Sequence, residues 1–178
     1  MKLSDLPFQP MGTQPGFDAA TLEAFVSAPR IAVLAYTKRD GSPAQTPIWY
    51  LYRGGKIEML TSTTSPKAKA LARNPRVCVT IQDERAPYRA VIIDGTVAIE
   101  DAPVEGGVGR DLAIRYFGRM SASEYEKMTV EENRKTGLSL LTLTPTRVRG
   151  FDNHRIVGAG LRVYMRLREM IPLPRTWF

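Results

Sequence analysis

The amino-acid sequence predicts a mainly β protein, a mostly antiparallel barrel of six strands with short helices appended to it. Strand-like runs rich in β-branched and aromatic residues fill residues 30–101 and return at 138–152, with turn residues between them. Helical spacing is confined to short stretches, most of them in an insert at 103–136. The chain has no internal repeat and no long Ser/Gly linker, so we expect one domain over 1–178 with a C-terminal extension at 155–178.

The first part of the chain predicts one short helix and three strands. After a turn-rich stretch over 1–16, Asp18 is placed to cap a helix that Pro29 ends. Two short turns, one of them Asp40-Gly41, separate three strand-like runs at 31–37, 44–53 and 57–62. Because such turns join neighbours in a sheet, the three strands are predicted to form an antiparallel meander.

The later elements alternate between helix and strand. Ser65 as an N-cap and Pro66 at the first helical position begin a short helix. The remaining strands are predicted at 76–82, at 88–101 with a bend at Gly95, and at 137–152. Two or three short helices are predicted in the insert, one of them capped by Ser121. The extension mixes apolar residues with arginines and is expected to form a strand or helix that docks on a partner subunit.

Composition argues against several classes of function. A single cysteine, Cys78, cannot form an internal disulfide, and a single histidine, His154, leaves few ligands for zinc or transition metals, so no metal site is expected. The net charge is +7, but the excess is divided between 67–76 and 147–175, unlike the single basic element of most nucleic-acid readers. The N-terminus lacks the apolar region of a secretory signal, and no apolar run is long enough to span a membrane. We therefore expect a cytoplasmic protein that binds no nucleic acid.

The stretch MLTSTTSPKAKAL predicts an anion site. A strand ends there in a run of hydroxyl residues and leads directly into a capped helix. Free N–H groups at the helix N-terminus, hydroxyl donors and two ammonium groups would converge on one place, which suits a phosphate. The alternative is a well-capped helix whose lysines are merely solvated. The residues concerned are Thr61, Ser62, Ser65, Lys67 and Lys69.

The tetrapeptide Thr46-Pro47-Ile48-Trp49 interrupts an otherwise good strand. Proline lacks the N–H that a strand neighbour would accept, so this strand is predicted to lie at an edge or to be broken. Neighbouring peptide groups are then free to bond a flat heteroaromatic ring. The alternative is a bulged edge strand with Trp49 in the core.

The order of these motifs resembles the pyridoxamine 5'-phosphate oxidase-like split-barrel superfamily, and particularly its deazaflavin-dependent reductase branch. The resemblance lies in DGSPAQTPIWYLYRGGKIEMLTSTTSPKAKALARNPRVCVTIQDE, followed by APYRAVIIDGTVAIED, with a weaker return at TPTRVRGFD. It covers residues 29–101 and 144–152, and does not cover the insert or the extension.

This resemblance implies a six-stranded split barrel that forms a homodimer and binds FMN or the deazaflavin coenzyme F420 in clefts between subunits. It places the cofactor phosphate on Thr61, Ser62, Ser65 and Lys67, with Lys69 as an outer contact. Pro66 departs from the oxidase, which has an arginine there.

The same resemblance places the ring edge along Thr46, Pro47, Ile48 and Trp49. Arg89 would contact the cofactor from across the dimer, and its alternative role is an ion pair with Asp83 or Glu84.

The resulting hypothesis is an oxidoreductase in which coenzyme F420 exchanges hydride with a small organic substrate. The alternatives are an FMN-dependent oxidase or reductase, and a flavin- or haem-binding protein without catalysis. No catalytic acid or base is assigned. A structural or exposed role is expected for His154 in preference to a catalytic one. Cys78 is expected to be a small core residue.

Overall fold

The structure is a computed structural model that describes residues 2–170. Within that range it contains eight strands and five α-helices, with 3-10 turns at Leu3–Asp5 and Asn153–Arg155. The strands are β1 (Phe8–Pro10), β2 (Ala32–Thr37), β3 (Pro43–Ile48), β4 (Leu51–Arg53), β5 (Lys56–Ser62), β6 (Arg76–Gln82), β7 (Arg89–Ala102) and β8 (Leu138–Asp152). The helices are α1 (Ala19–Ser27), α2 (Pro66–Arg73), α3 (Gly107–Phe117), α4 (Arg119–Thr136) and α5 (Ala159–Met170).

All eight strands belong to one sheet, in the order β3-β2-β6-β7-β8-β5-β4, with β1 paired to β8. Every pair on this path is antiparallel, whereas β1 runs parallel to β8. Seven strands side by side would extend about 29 Å if the sheet were flat. Yet β3 and β4, at opposite ends of the order, are joined only by Trp49 and Tyr50, a link that reaches at most about 11 Å. The sheet must therefore curl until its two edges meet at this link, which we call the seam.

The predicted mainly β fold is confirmed, while the predicted meander is wrong. The run 44–53 is two strands, because the chain leaves the sheet at Trp49 and Tyr50 and continues on the other edge. The hairpins β2–β3 and β4–β5 form as predicted, but β3 does not pair with β5. The strand count rises from six to eight through this break and through β1. The predicted bend at Gly95 is confirmed as a register shift between Asp94 and Gly95.

Most helix boundaries follow the predicted caps. The Asp18 carboxylate accepts from the Thr21 N–H at 2.8 Å, and the Ser65 hydroxyl accepts from the Ala68 N–H at 3.1 Å. Ser121 is not a cap, which corrects the prediction. Gly118, with φ of 81°, joins α3 directly to α4, so α4 begins two residues before Ser121 and runs for 18 residues.

The core lies inside the curled sheet. It consists of the inward side chains of the strands, closed by the apolar face of α1. Its largest fully buried side chains include Tyr50, Leu34, Ile57, Met59, Ile81, Ile93, Leu141, Leu143 and, from α1, Leu22 and Val26. Tyr50 donates from its hydroxyl to the Val26 carbonyl at 2.9 Å, so the seam is anchored to α1.

Both ends of the described chain contain regular secondary structure. The N-terminal stretch, predicted as turns, contains β1 and the fully buried Leu3, because apolar residues there cover the barrel end. The extension forms helix α5, with Leu161, Val163 and Tyr164 exposed. Its predicted docking on a partner stays a prediction, and residues 171–178 lie outside the described residues. None of the helices within 2–170 is long and apolar enough to cross a membrane.

Candidate functional site

A cleft of about 440 Å³ opens between the seam, strand β5 and the helical insert. This volume lies within the range of small-molecule sites. Six residues predicted from the sequence line it together: Pro47, Ile48, Trp49, Thr61, Ser62 and Lys67. The structure therefore brings three of the predicted phosphate residues and three of the four predicted ring-edge residues to one cavity.

The Lys67 side of the cleft is built by the end of β5 and the start of α2. Thr61 and Ser65 hydroxyls lie 3.1 Å apart, which orients the Ser65 side chain that caps α2. The Lys67 backbone N–H, in the first turn of α2, has no hydrogen-bond partner among the described residues. The hydroxyl groups at the end of β5 thus lie beside the N-terminus of α2, which is the positive end of the helix dipole.

The Lys67 ammonium group is half-buried without a counter-ion. Within the described part of the chain, no carboxylate lies within 4.0 Å of it. Burial alone lowers the pKa of Lys67. Glu126, which lines the same cleft, is already engaged, since its carboxylate accepts from Arg110 at 2.7 Å and from the Gly106 N–H at 3.0 Å. The cleft therefore holds an uncompensated positive charge.

The Trp49 side of the cleft is aromatic. The Trp49 ring stacks on Tyr116 with centroids 4.8 Å apart, and it contacts Phe117 at 5.1 Å and Tyr125 at 5.4 Å. β3 is an edge strand, as Pro47 predicts, since β2 is its only strand partner in the sheet order of the described chain. Trp49 does not belong to the core, which was the alternative interpretation; its ring packs against the insert and also lines the cleft.

The strand break leaves fewer free peptide groups than expected. The Tyr50 N–H donates to the Tyr116 hydroxyl at 3.1 Å, and that hydroxyl donates to the Arg30 carbonyl at 2.7 Å. Tyr116 from α3 thus occupies one backbone group that the sequence had suggested for a ligand. It also ties the insert to both sides of the seam.

One wall of the cleft was missed by sequence reasoning. The face of α4 contributes Tyr125, Thr129 and Asn133, which recur every four residues and therefore lie on one side of the helix. This spacing was present in the sequence, but the predicted helices were short, and only a continuous α4 aligns the three residues. The insert is thus part of the site.

Four predicted residues are not among those that line this cleft. The Ser65 hydroxyl instead caps α2, where it accepts from the Ala68 N–H. Thr46 is not among the lining residues, and its hydroxyl donates to the Pro47 carbonyl at 3.2 Å. Lys69 lines a different cleft on the other side of α2. Arg89 pairs with Asp83 at 2.6 Å, which is the alternative that the sequence analysis kept open. Contact from a partner subunit stays a prediction for Arg89.

The lone cysteine is half-buried rather than part of the core. Burial, followed by a hydrogen bond with Asp94, raises the pKa of Cys78 to about 11. Such a thiol is largely protonated near neutral pH and is a poor nucleophile.

The fold and the cleft define a class of protein, a split antiparallel barrel with a ligand-sized cavity at its open seam. The model of the pyridoxamine 5'-phosphate oxidase family matches residues 19–152. The chain therefore belongs to this family, as the resemblance had implied. No curated protein matches the sequence.

Several solved structures share the fold. A conserved hypothetical protein from Mycobacterium tuberculosis is 24% identical, with a TM-score of 0.67, and the match covers 84% of this chain and 97% of that one. A protein described as an F420 reductase is 24% identical, with a TM-score of 0.59 and coverage of 71% and 94%. A putative pyridoxamine 5'-phosphate oxidase from Listeria innocua is 17% identical, with a TM-score of 0.52 and coverage of 74% and 95%. These likenesses establish the split-barrel fold.

Proposed function

We propose that this protein is an oxidoreductase that binds coenzyme F420 in the cleft and exchanges hydride with a small organic substrate. The observation that carries the proposal is the half-buried Lys67 ammonium, which has no counter-ion within the described residues and faces a cavity with an aromatic wall. A ligand with a phosphate and a flat ring would place the phosphate at Lys67 and the ring against the aromatic wall. Family membership and the F420 reductase of similar fold support this choice.

The donor set fits a phosphate. Lys67 supplies a positive charge, while the Thr61 and Ser62 hydroxyls and the free Lys67 N–H supply hydrogen-bond donors at the end of β5. Charge-assisted hydrogen bonds of this kind are about twice as strong as neutral ones. These residues would hold the phosphate of the cofactor. Pro66 stands where the resemblance places an arginine in the oxidase, which weakens the case for that enzyme's mode of binding FMN.

The aromatic end fits a ring. Trp49 is fixed by stacking on Tyr116, so its ring is oriented before any ligand enters. Pro47 and Ile48 present an apolar strand edge beside it, and Leu112 from α3 is buried at the same cavity. These side chains exclude water from the ring. A bound deazaflavin or flavin ring supplies the hydride chemistry, and the residues of this chain bind and orient it.

The face of α4 completes the pocket. Tyr125, Thr129 and Asn133 line the cavity with polar side chains, although the Thr129 hydroxyl already donates to the Tyr125 carbonyl at 3.1 Å. Their roles in the proposal are to orient the ligand and to cover it. We also propose a homodimer, in which the partner closes the open side of the cleft and Arg89 reaches the cofactor of the other subunit.

The test is equilibrium binding of coenzyme F420 and of FMN to the purified protein, followed side by side by fluorescence. Tight binding of F420 with weak binding of FMN supports the proposal, and the reverse preference favours an FMN-dependent oxidase or reductase. Binding of neither contradicts the proposal.

Turnover separates an enzyme from a carrier. Reduced F420 is mixed with the protein and a panel of electron acceptors, and its reoxidation is followed by absorbance. Reoxidation that depends on the protein supports an oxidoreductase. Tight binding without reoxidation by any acceptor favours the non-catalytic alternative, a protein that only binds a flavin, deazaflavin or haem.

A further inference from the structure

A second cleft of about 410 Å³ adjoins the first. Ile31 lines both cavities and is 39% exposed. Its neighbour Ala32 pairs with Ile48, so the junction lies at the aromatic end of the first cleft. The second cleft therefore opens beside the place where the ring of the proposed cofactor would lie.

Charged residues line the second cleft, among them Arg30 and Asp83, and Arg89 lies behind Asp83 at a neighbouring cavity. Asp83 accepts from Arg30 Nε at 2.8 Å and from Arg89 Nε at 2.6 Å, so two guanidinium groups share one carboxylate. Both guanidinium groups also lie over the Phe25 ring, at 4.0 and 4.8 Å from its centroid. This packing fixes the arginines, and the carboxylate neutralises only one of them. The exposed Glu84 lies at the rim.

Arg162 of α5 adds a positioned cation. One of its terminal nitrogens, Nη1, donates to the carbonyls of His154 and Val157, the latter at 2.9 Å. No carboxylate within the part of the chain that the structure describes lies within 4.0 Å of it, and its other nitrogens have no partner there. Two backbone carbonyls therefore hold a guanidinium group whose remaining donors can bind a ligand.

His154 provides a neutral donor next to this cation. Its backbone N–H donates to Asp152 at 3.0 Å, while its imidazole has no hydrogen-bond partner among the described residues. Burial, and then the charge of Arg89, lower the pKa of His154 despite the opposing charges of Asp152 and Asp83. An imidazole that is half-buried and unpaired lines the cavity together with Arg162.

We propose that the second cleft binds the carboxylate of a small organic acid, with Arg162 and His154 as its contacts. The rest of such a molecule would extend past Ile31 toward the first cleft, where the ring of the cofactor is proposed to lie. The inference thus rests on the proposed function and narrows the substrate class to anionic organic acids. A phosphate monoester has related chemistry and forms a separate arm of the test.

The experiment uses the single histidine of the chain as its reporter. The imidazole Cε1–H signal is followed by NMR while the protein is titrated with benzoate, with phenyl phosphate, and with benzyl alcohol as the neutral match. A saturable shift with benzoate, a weaker one with phenyl phosphate and none with benzyl alcohol is expected. Bound carboxylate should also raise the pKa of His154, because a nearby anion favours the imidazolium form. No saturable shift with benzoate, or an equal shift with benzyl alcohol, overturns the proposal.

Two substitutions assign the binding to Arg162. Arg162→Gln should weaken benzoate binding at least tenfold, and Arg162→Lys, which keeps the charge and guards against a folding defect, should bind benzoate more tightly than Arg162→Gln does. Arg39→Gln, at an exposed turn after β2, is the matched control and should change nothing. Equal affinity in Arg162→Gln and in the control overturns the assignment.

A third variant distinguishes failure of this site from failure of the cofactor site. Lys67→Met should leave the benzoate shift intact while it weakens F420 binding. If the unmodified protein binds benzoate at His154 but neither cofactor, the anion site stands and the proposed function fails. If it binds F420 but shows no saturable benzoate shift, the proposed function stands and the anion site fails.

Discussion

Replacing Lys67 by methionine removes its charge and keeps the length of its stem. Because the ammonium is the cation of the cleft and has no carboxylate partner within the described residues, a bound phosphate would be its main counter-ion. Loss of one charge-assisted hydrogen bond costs about 1.5–3 kcal/mol. This corresponds to a dissociation constant for F420 that rises about 10- to 150-fold.

The same substitution should not destabilise the protein without ligand. Burial lowers the pKa of Lys67, so the charged form is less stable in the folded state than in the unfolded state. Removing that charge removes the cost of its desolvation, and the free energy of unfolding should therefore stay the same or rise. Opposite effects on stability and on binding are typical of a group kept for its ligand.

Fluorescence titration with F420 measures the affinity, and urea unfolding monitored by circular dichroism measures the stability. Lys69→Met is the matched control, since Lys69 lies on the same helix but lines a different cleft. We expect a much smaller loss of affinity in the control. The reasoning is refuted if Lys67→Met binds F420 as tightly as the unmodified protein, or if both variants lose affinity equally.

Two further predictions concern stability. Asp83→Asn should lower the free energy of unfolding by about 1.5–3 kcal/mol at pH 7, because two half-buried arginines lose their carboxylate, whereas Glu84→Gln at the exposed neighbour should cost little. Burial tends to raise the pKa of Asp83, but its arginine hydrogen bonds lower it overall, so this stability difference should be complete at neutral pH and should shrink progressively as the pH falls below about 4. A difference that stays constant in urea titrations as the pH is lowered through this acid range contradicts the assignment. Gly150→Ala should cost more than about 3 kcal/mol, since a Cβ there would lie 2.1 Å from the Ala90 carbonyl oxygen and would separate β7 from β8. Gly158→Ala, with open space around it, is the control, and comparable thermal unfolding of the two variants would contradict this explanation.

Local signals in the sequence predicted the elements better than their arrangement. Asp18 and Ser65 marked two helix starts because capping depends on a few neighbouring residues. Pro47 predicted that this strand is broken or lies at an edge, but the crossing at Trp49 and Tyr50 to the opposite edge was not predicted. Whether a run continues in one strand or crosses to another edge depends on how the whole sheet curls. The meander was predicted from turn lengths alone, which specify hairpins but not the order of hairpins in a sheet.

In the candidate site, too, residues in local motifs were predicted, whereas residues placed by tertiary packing were not. Pro47 and Lys67 were predicted because each belongs to a short motif whose residue types indicate their role, and the structure brings both to one cavity. Asn133 and Tyr116 were missed, since their roles come from the packing of the insert against the seam. Lys69 follows Lys67 by two residues and so lies on another side of α2, a consequence of helical geometry that the motif alone concealed.

The seam also bears on how a ligand would enter and leave. Pro47 lies on the edge strand β3, whereas Lys67 follows β5, which neighbours the opposite edge strand β4, and only curling brings the two residues to the same cavity. A ligand held by both residues would therefore stabilise the curled sheet and would bind poorly when the two edges separate. At 100 times its dissociation constant, such a ligand would disfavour opening by about 2.7 kcal/mol. Amide hydrogen exchange along β3 and β5 should accordingly slow when the cleft is filled. Release of the ligand would then depend on local opening of the sheet at the seam.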